Sequence, residues 1–448
     1  MTPGSLSTLF RQVTMDASAP QVSGADTAWM LVSTALVLLM TPALGFFYGG
    51  LVRSKNVLNT LMMSFASLGA VGIAWAALGY SLAFAPGGVV GGLGYAGLRG
   101  VGLQAGSWGA IPHLLFMAYQ CTFAIIAAAL VSGAIVERMR FGPYLAFITL
   151  WSLVVYAPVA HWVWGGGWIA RLGALDFAGG TVVHVTAGTA ALVAASTVGG
   201  RKDYGRQALL PHNVPYVLLG AGLLWFGWFG FNAGSAVGAN EKAALALVNT
   251  MLAPGATLLV WMALDHFRTK HVTAVGTGTG IVVGLVAITP AAGFVGPMAA
   301  IVLGALAAFP SYFALLYRSR TRLDDSLDVF AAHGTGGIVG ALLTGVLATA
   351  AWGGTDGLIG GNPALVGKQA LAIAAAAALS AAGTFVILKA IALVSPLRAP
   401  EREQGVGLDV ALHGEEAYTR GEGAMLVLRD ALPSAVRPSA TRAGTEAA

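Results

Sequence analysis

Eleven apolar stretches, each close to the roughly 20 residues that a helix needs to cross a bilayer's hydrocarbon core, decide what this chain can fold into. They run from Trp29 to Tyr48 and then over 57–85, 111–136, 144–164, 180–199, 214–237, 244–264, 272–290, 296–317, 327–350 and 365–395. They are too long and too rich in Ala and Leu for β-strands, and their small residues let helices approach closely in lipid. Charge excludes soluble folds independently. Only 24 Lys+Arg and 19 Asp+Glu occur among 448 residues, 10% where a soluble protein carries roughly a quarter. So few charges cannot cover a water-facing surface of this size. The single cysteine, Cys121, excludes an internal disulfide and a thiolate metal site. The expected class is an all-α membrane protein with eleven transmembrane helices.

Loop charges orient it. With the N-terminus outside, the inward loops carry Arg53, Lys55, Arg138, Arg140, Arg201, Lys202, Arg206, Arg268, Lys270, Arg318, Arg320 and Arg322. The outward loops carry Arg99, Arg171, Lys242 and Lys368. Positive residues stay cytoplasmic, so an odd number of spans also puts the C-terminus inside. The net charge of +5 then marks a basic cytoplasmic face and not a nucleic-acid partner. Residues 1–26 read as a short external arm, 27–199 and 200–350 as two five-helix halves, 351–395 as a loop with the eleventh helix, and 396–448 as a cytoplasmic tail. The tail is too short for an attached kinase or cyclase.

Ionisable groups inside the spans are the functional candidates, because lipid makes them expensive. Six of the eight histidines (His113, His161, His212, His266, His271 and His413) fall near span ends or in the tail and read as interfacial or solvated. His184 and His333 differ. Each lies early in its span, the fifth and the tenth, each begins a His-x-x-x-Gly string, and they are 149 residues apart. Five helices are an odd number, so two such repeats enter the membrane in opposite directions. An inverted repeat would bring the two histidines together at mid-depth. Without it they are two unrelated side chains bonded to backbone carbonyls. A facing pair has no Cys or carboxylate nearby for a metal and no nucleophile for catalysis. It would offer a donor and an acceptor to a small polar solute, or relay a proton.

Aromatic strings form the next layer: Trp162-Val163-Trp164-Gly165-Gly166-Gly167-Trp168, and Trp225-Phe226-Gly227-Trp228-Phe229-Gly230-Phe231-Asn232-Ala233-Gly234-Ser235. An interfacial belt explains most of these Trp. Rings beside the Ser235 hydroxyl also suit a small monovalent cation, each ring face attracting it by about 0.5–2 kcal/mol. Asp176 is open to two readings, counter-ion to that cation or cap for backbone N–H groups of Ala178 to Gly180.

Several strings together resemble one family, the ammonium transporters of the Amt/Mep/Rh class, on the bacterial Amt side. They are Gly45-Phe46-Phe47-Tyr48-Gly49-Gly50-Leu51-Val52-Arg53, Ala134-Ile135-Val136-Glu137-Arg138, Asp176-Phe177-Ala178-Gly179-Gly180-Thr181-Val182-Val183-His184, Gly230-Phe231-Asn232-Ala233-Gly234-Ser235 and Asp324-Asp325-Ser326-Leu327-Asp328-Val329-Phe330. Gly407-Leu408-Asp409 and His413-Gly414-Glu415-Glu416-Ala417-Tyr418 extend the match into the tail. The resemblance implies a homotrimer in the cell (inner) membrane with a pore through each subunit, serving nitrogen metabolism without a cofactor. It implies ammonium recruitment, with methylammonium as analogue, by Trp164, Phe123 and Ser235. A gate of Phe123 and Phe231 and a pore lined by His184 and His333 would follow, with Asp176 shaping the recruitment site or serving a proton pathway. It further implies a tail packed beneath neighbouring subunits and responsive to a PII-type signal protein. Tyr119 departs from the family, which usually has Phe one turn before the gate Phe123. Beyond Tyr418 the likeness stops, and 419–448 is an extension of its own.

The expected function is recruitment of ammonium, its deprotonation, conduction of ammonia and net charge movement. Two other classes stand beside it. One is an ammonium sensor signalling through the tail with little flux. The other is an intramembrane enzyme, against which no His-Glu-x-x-His or Gly-x-Ser-x-Gly motif is present.

Overall fold

The computed structural model describes residues 21–418. Most of the expected external arm and the whole of 419–448 lie outside the described residues. Every regular element among the described residues is helical, with three isolated bridges and no β-strand. Ten helices are long and apolar enough to cross a membrane. They are α1 (Gly24–Leu51), α2 (Ser54–Phe84), α3 (His113–Ser132), α4 (Phe141–Leu172, broken at 164–167) and α5 (Gly180–Val198). Between α6 (Val214–Gly234) with α7 (Glu241–Thr269) and α9 (Pro297–Arg318) lies the shorter apolar α8 (Ala274–Ile288). The set closes with α10 (Phe330–Leu347) and α11 (Ala364–Val394).

Two expected spans shrink. The stretch 272–290 holds only the 15-residue α8, because Pro290 cannot continue the hydrogen-bond ladder and 289–294 turns instead. The stretch 111–136 ends its helix at Ser132, and Glu137 takes a left-handed φ of 67° in the turn that follows.

The arrangement follows from which helices present an apolar surface all round. Nearly every residue of α3 from Thr122 to Ser132 is buried, so α3 lies inside the bundle, whereas α2 and α7 alternate buried and exposed faces. Helices α5 and α10 cross at the centre. A Cβ at Gly188 would run into the backbone of Gly334, and one at Gly337 would meet the Gly180 carbonyl at 2.8 Å and the His184 Cβ at 3.0 Å. Such an approach requires glycine on both helices.

These contacts come in matched pairs. Gly188 and Gly337 are 149 positions apart, the spacing that also separates His184 from His333. The Phe177 N–H donates to the Pro290 carbonyl at 3.1 Å, and the Ser326 N–H, again 149 further on, donates to the Ala134 carbonyl at 3.5 Å.

The ion pairs among the described residues gather at one face. There Arg138, fully buried, places its five N–H groups on five acceptors: the Gly199, Val136, Ala134 and Asp324 carbonyls and the Ser326 hydroxyl. Glu137 pairs with Arg53 at 3.2 Å and Arg201 at 3.1 Å, and Arg201 also meets Asp324 at 2.8 Å. The cluster joins the loops after α1, α3, α5 and α9. The described tail docks on the same face. Asp409 accepts from the Leu58 and Asn59 N–H groups at 3.0 and 2.8 Å, capping α2 from 350 residues away. The Leu408 N–H returns a bond to Asn56, and Arg398 donates to the Gly200 carbonyl at 2.6 Å.

Burial alone would raise the ionisation range of Glu137, but Arg201 and then Arg53 outweigh it and hold the carboxyl below its usual value of about 4.3. A depressed carboxylate contributes stability that is present above the ordinary range and is lost as pH falls through its native ionisation. E137Q therefore unfolds at a lower temperature than the parent near neutral pH, and the gap narrows below about pH 4. Thermal unfolding in detergent from pH 7 to pH 3 checks this; a gap of constant size would contradict it.

Candidate functional site

Three cavities lie in series through the helix bundle. The first, about 270 Å³, opens on the face opposite the tail and is walled by Phe84, Trp108, Phe116, Gln120, Trp164, Phe177 and Ser235, with Val163 and Val237. The third, about 480 Å³, opens on the tail face and includes Tyr204, Arg318, Asp328 and His333 in its wall. Between them is a closed chamber of about 10 Å³, lined by Met40, Leu44, Ile126, Leu130, Val183, Leu224, Trp228, Phe231, His184 and His333. A volume of that size is at the lower limit for one water molecule. No charged side chain lines it.

Two phenyl rings separate the first cavity from the chamber. Phe123 on α3 and Phe231 on α6 stack with centroids 4.1 Å apart and planes inclined by 21°. Trp164 stands edge-on to Phe123 at 6.1 Å, where the break in α4 turns its indole inward. Ser235 follows the last turn of α6 and donates its hydroxyl proton to the Phe231 carbonyl at 2.8 Å, leaving its lone pairs for the cavity that it lines.

The histidines meet. Their Nδ1 atoms are 3.3 Å apart, the rings are nearly parallel with centroids at 5.3 Å, and the residues are 1% and 2% exposed. One proton serves that contact, so one Nδ1 donates and the other accepts. The donor ring then carries a bare Nε2 and the acceptor ring an Nε2–H. The pair thus offers both a lone pair and an N–H to a neutral solute passing through. The Nε2 of His184 has no protein partner among the described residues.

Both histidines stand on helices that begin with a wide turn, Gly180–Val185 and Phe330–Thr335. An aspartate precedes each by eight residues. Asp176 accepts the N–H groups of Gly179 and Gly180 on one oxygen, at 2.9 and 2.7 Å. Its other oxygen takes those of Thr181 and Val182, at 2.9 and 3.0 Å. The capped groups are therefore 179–182, where the sequence suggests 178–180. Both oxygens are turned to the helix end, and Asp176 does not line the first cavity, which leaves the counter-ion reading without geometry. Its backbone carbonyl does reach the site, accepting the Trp164 indole N–H at 2.9 Å.

Of the expected residues, Trp164 and Ser235 lie in the cavity wall, Phe123 and Phe231 close it, and His184 and His333 lie beyond. Of the histidines read as interfacial or solvated, His161 is 1% exposed, and His113, at the start of α3, is 9% exposed. His161 bonds the Ala83 carbonyl at 3.0 Å, and His113 lies 2.5 Å from the Tyr80 hydroxyl.

Sequence reasoning missed Trp228 and Asp325. Trp228, grouped with an interfacial belt, is buried and stacks on His184 at 5.5 Å, its indole N–H held by Thr289. Its spacing of three and seven residues from Phe231 and Ser235 places all three on one helix face. Asp325 accepts the Val329 and Phe330 N–H groups at 3.1 and 2.7 Å and lies 149 residues after Asp176, so the histidine spacing also points to it.

The family model for the Ammonium Transporter Family matches residues 28–418. The chain belongs to this family. The ammonium transporter of Bacillus subtilis (strain 168) is 50% identical over 398 residues, covering 88% of this chain and 98% of the relative. The ammonium transporter Amt1 of Archaeoglobus fulgidus is 44% identical over 400 residues, 89% of this chain and all of the relative. Among solved structures, Mep2 of Saccharomyces cerevisiae superposes with a TM-score of 0.83 at 36% identity, covering 90% and 94% of the two chains. A structure described as a sensor Amt protein gives 0.81 at 29% identity, covering 86% and 98%. This ammonium transporter family member is thus a multi-pass membrane protein whose relatives are named as transporters and not as enzymes.

Proposed function

We propose that the chain recruits ammonium in the first cavity and conducts ammonia past the Phe123–Phe231 stack and the His184–His333 pair, the proton that the ammonium gives up crossing separately by way of the histidine pair, whose His184 Nε2 is free to take it, so that net charge moves. The observation that carries this reading is the chamber: it is tiny, free of charge and paired with a histidine dyad, directly beneath a closed ring stack. An intact cation entering it would lose its water and gain no carboxylate, at a cost of several kcal/mol or more. Ammonia loses little, because the two imidazoles supply a donor and an acceptor. In the outer cavity, by contrast, Trp164 and Phe123 present π-systems and Ser235 an oxygen, which suits a cation still carrying its proton. Potassium cannot shed a proton and is left outside.

The matched contacts at a spacing of 149 residues support reading α1–α5 and α6–α10 as an inverted repeat, with α11 outside it. The concentration of Arg and Lys at the tail face supports a cytoplasmic C-terminus in the cell membrane. Family membership supports a homotrimer and control by a PII-type protein at that face.

The purified chain in proteoliposomes on a solid-supported membrane tests the reading. Jumps of ammonium and methylammonium give currents, and a potassium jump gives none. Ammonium flux without charge movement would overturn the electrogenic part. A sensor signalling through the tail is the weaker reading, because one neighbour at 29% identity is described as a sensor while relatives at 44–50% identity are named as transporters; flux too small to register beside ligand-dependent changes in the tail would support it.

A further inference from the structure

The gate's two rings are held in register by a side chain that the conduction path itself does not use. Tyr119 lies on α3 one turn before Phe123 and is completely buried. Its ring packs edge-on to Phe123, with centroids at 4.9 Å. Its hydroxyl reaches across to α6, lying 2.9 Å from the carbonyl of Gly230, 2.9 Å from that of Phe231 and 3.3 Å from the Ser235 oxygen.

Those carbonyls stand in the last turn of α6, where a helix runs out of its own N–H donors. The Ser235 N–H turns to the Asn232 carbonyl at 3.1 Å, one residue short of the helical pattern, so the Phe231 carbonyl has lost its regular backbone donor. Hydroxyls replace it: Tyr119 from α3 and Ser235 from the same turn, the latter at 2.8 Å. One side chain thereby touches both halves of the stack, Phe123 through its ring and the backbone of Phe231 through its oxygen.

We infer that Tyr119 is a positioning residue for the gate: its hydroxyl latches the last turn of α6 and so holds Phe231 against Phe123, limiting how often the stack opens. Its role in flux rests on the transport reading above, whereas its hold on the helix end does not. Tyr119→Phe removes the latch alone. The ring remains to pack on Phe123, and the Phe231 carbonyl keeps the Ser235 hydroxyl, so no buried acceptor is orphaned. The loss is one net hydrogen bond, which corresponds to about a twofold to tenfold change in an opening equilibrium.

The experiment compares full-length Y119F with the parent in two measurements. In proteoliposomes the maximal ammonium current rises about twofold to tenfold. The half-saturating concentration stays within about twofold and potassium still carries no current, because the recruitment walls and the chamber are untouched. In detergent, hydrogen exchange of the backbone amides of 231–235 accelerates by a similar factor. Unchanged exchange overturns the latch. Faster exchange with an unchanged maximal current overturns the role at the gate. A higher half-saturating concentration at an unchanged maximum also overturns it, placing the hydroxyl's effect on Ser235 instead. If the parent carries no current, the transport reading falls by itself, and exchange still decides whether the hydroxyl holds the helix end.

Discussion

His184→Ala opens the pore to potassium. The chamber of about 10 Å³ excludes a hydrated ion because His184, stacked on Trp228 and bonded to His333, fills what would otherwise be a water-wide gap. Cutting the imidazole back to a methyl group leaves room for about two waters at roughly 30 Å³ each, beside a second imidazole that can hydrogen-bond them. A cation then keeps part of its hydration instead of meeting bare hydrocarbon, and the barrier that separated ammonium from potassium falls. The expected result is a potassium current in H184A at least about tenfold above the detection background at which the parent stays, the equivalent of a barrier lower by about 1.4 kcal/mol or more. Currents after paired ammonium and potassium jumps check it. A variant that still carries ammonium and still rejects potassium would move the selectivity filter to the outer cavity and contradict the neutral-ammonia scheme.

Asp176→Ala abolishes transport and destabilises the fold together. Four backbone N–H groups, 179 through 182, converge on this carboxylate within 2.7–3.0 Å at the start of α5. The carboxylate is buried, and each bond to a charged acceptor contributes about 1.5–3 kcal/mol. These contributions do not add fully, but losing all of them costs about 4 kcal/mol or more. The turn that comes loose carries His184 eight residues later, and the same backbone segment orients Trp164 through the Asp176 carbonyl. The expected result is a thermal midpoint lowered by several degrees and an ammonium current reduced below detection. Asp176→Asn separates the causes. Its oxygen can keep two of the four bonds, but its amide sets donors against donors at the other two. If the Asn variant melts like the parent and yet carries no current, the carboxylate acts on the ion or its proton and not through the helix. An Ala variant with parental current and stability would contradict both.

Much of this site is legible in the sequence. The 149-residue spacing of His184 and His333 suffices to bring them together if five helices repeat with inverted direction, and their rings do meet. Phe231 and Ser235 lie in a matched family string, and Trp164 and Phe123 follow from the resemblance those strings establish. Trp228 was lost because an aromatic near a span end has a ready interfacial explanation, and only packing shows that its face covers an imidazole. The cap on Asp176 was placed one residue early because a wide turn opens α5, and that geometry leaves no mark in residue type. The tail shows the same limit. Its polar composition marks it as a separate segment, but the bond from Asp409 to the start of α2 depends on a meeting 350 residues apart. The arginines counted for orientation gained a second meaning as well. Arg138 and Arg201 are buried, hydrogen-bonded ties among four loops, so they serve the fold besides marking a side.

The sequence by itself determined membrane class, family and the identity of the polar groups allowed inside. Hydrophobic length and charge scarcity are properties of contiguous residues, so they survive without a fold. Only the tertiary structure decided that the chamber holds no more than about one water, that two rings close it, and that Tyr119 reaches across to hold one of them. Volume and contact are set by how helices cross, and glycines at the crossing of α5 and α10 let that approach be close enough to leave two imidazoles where a water channel would otherwise run.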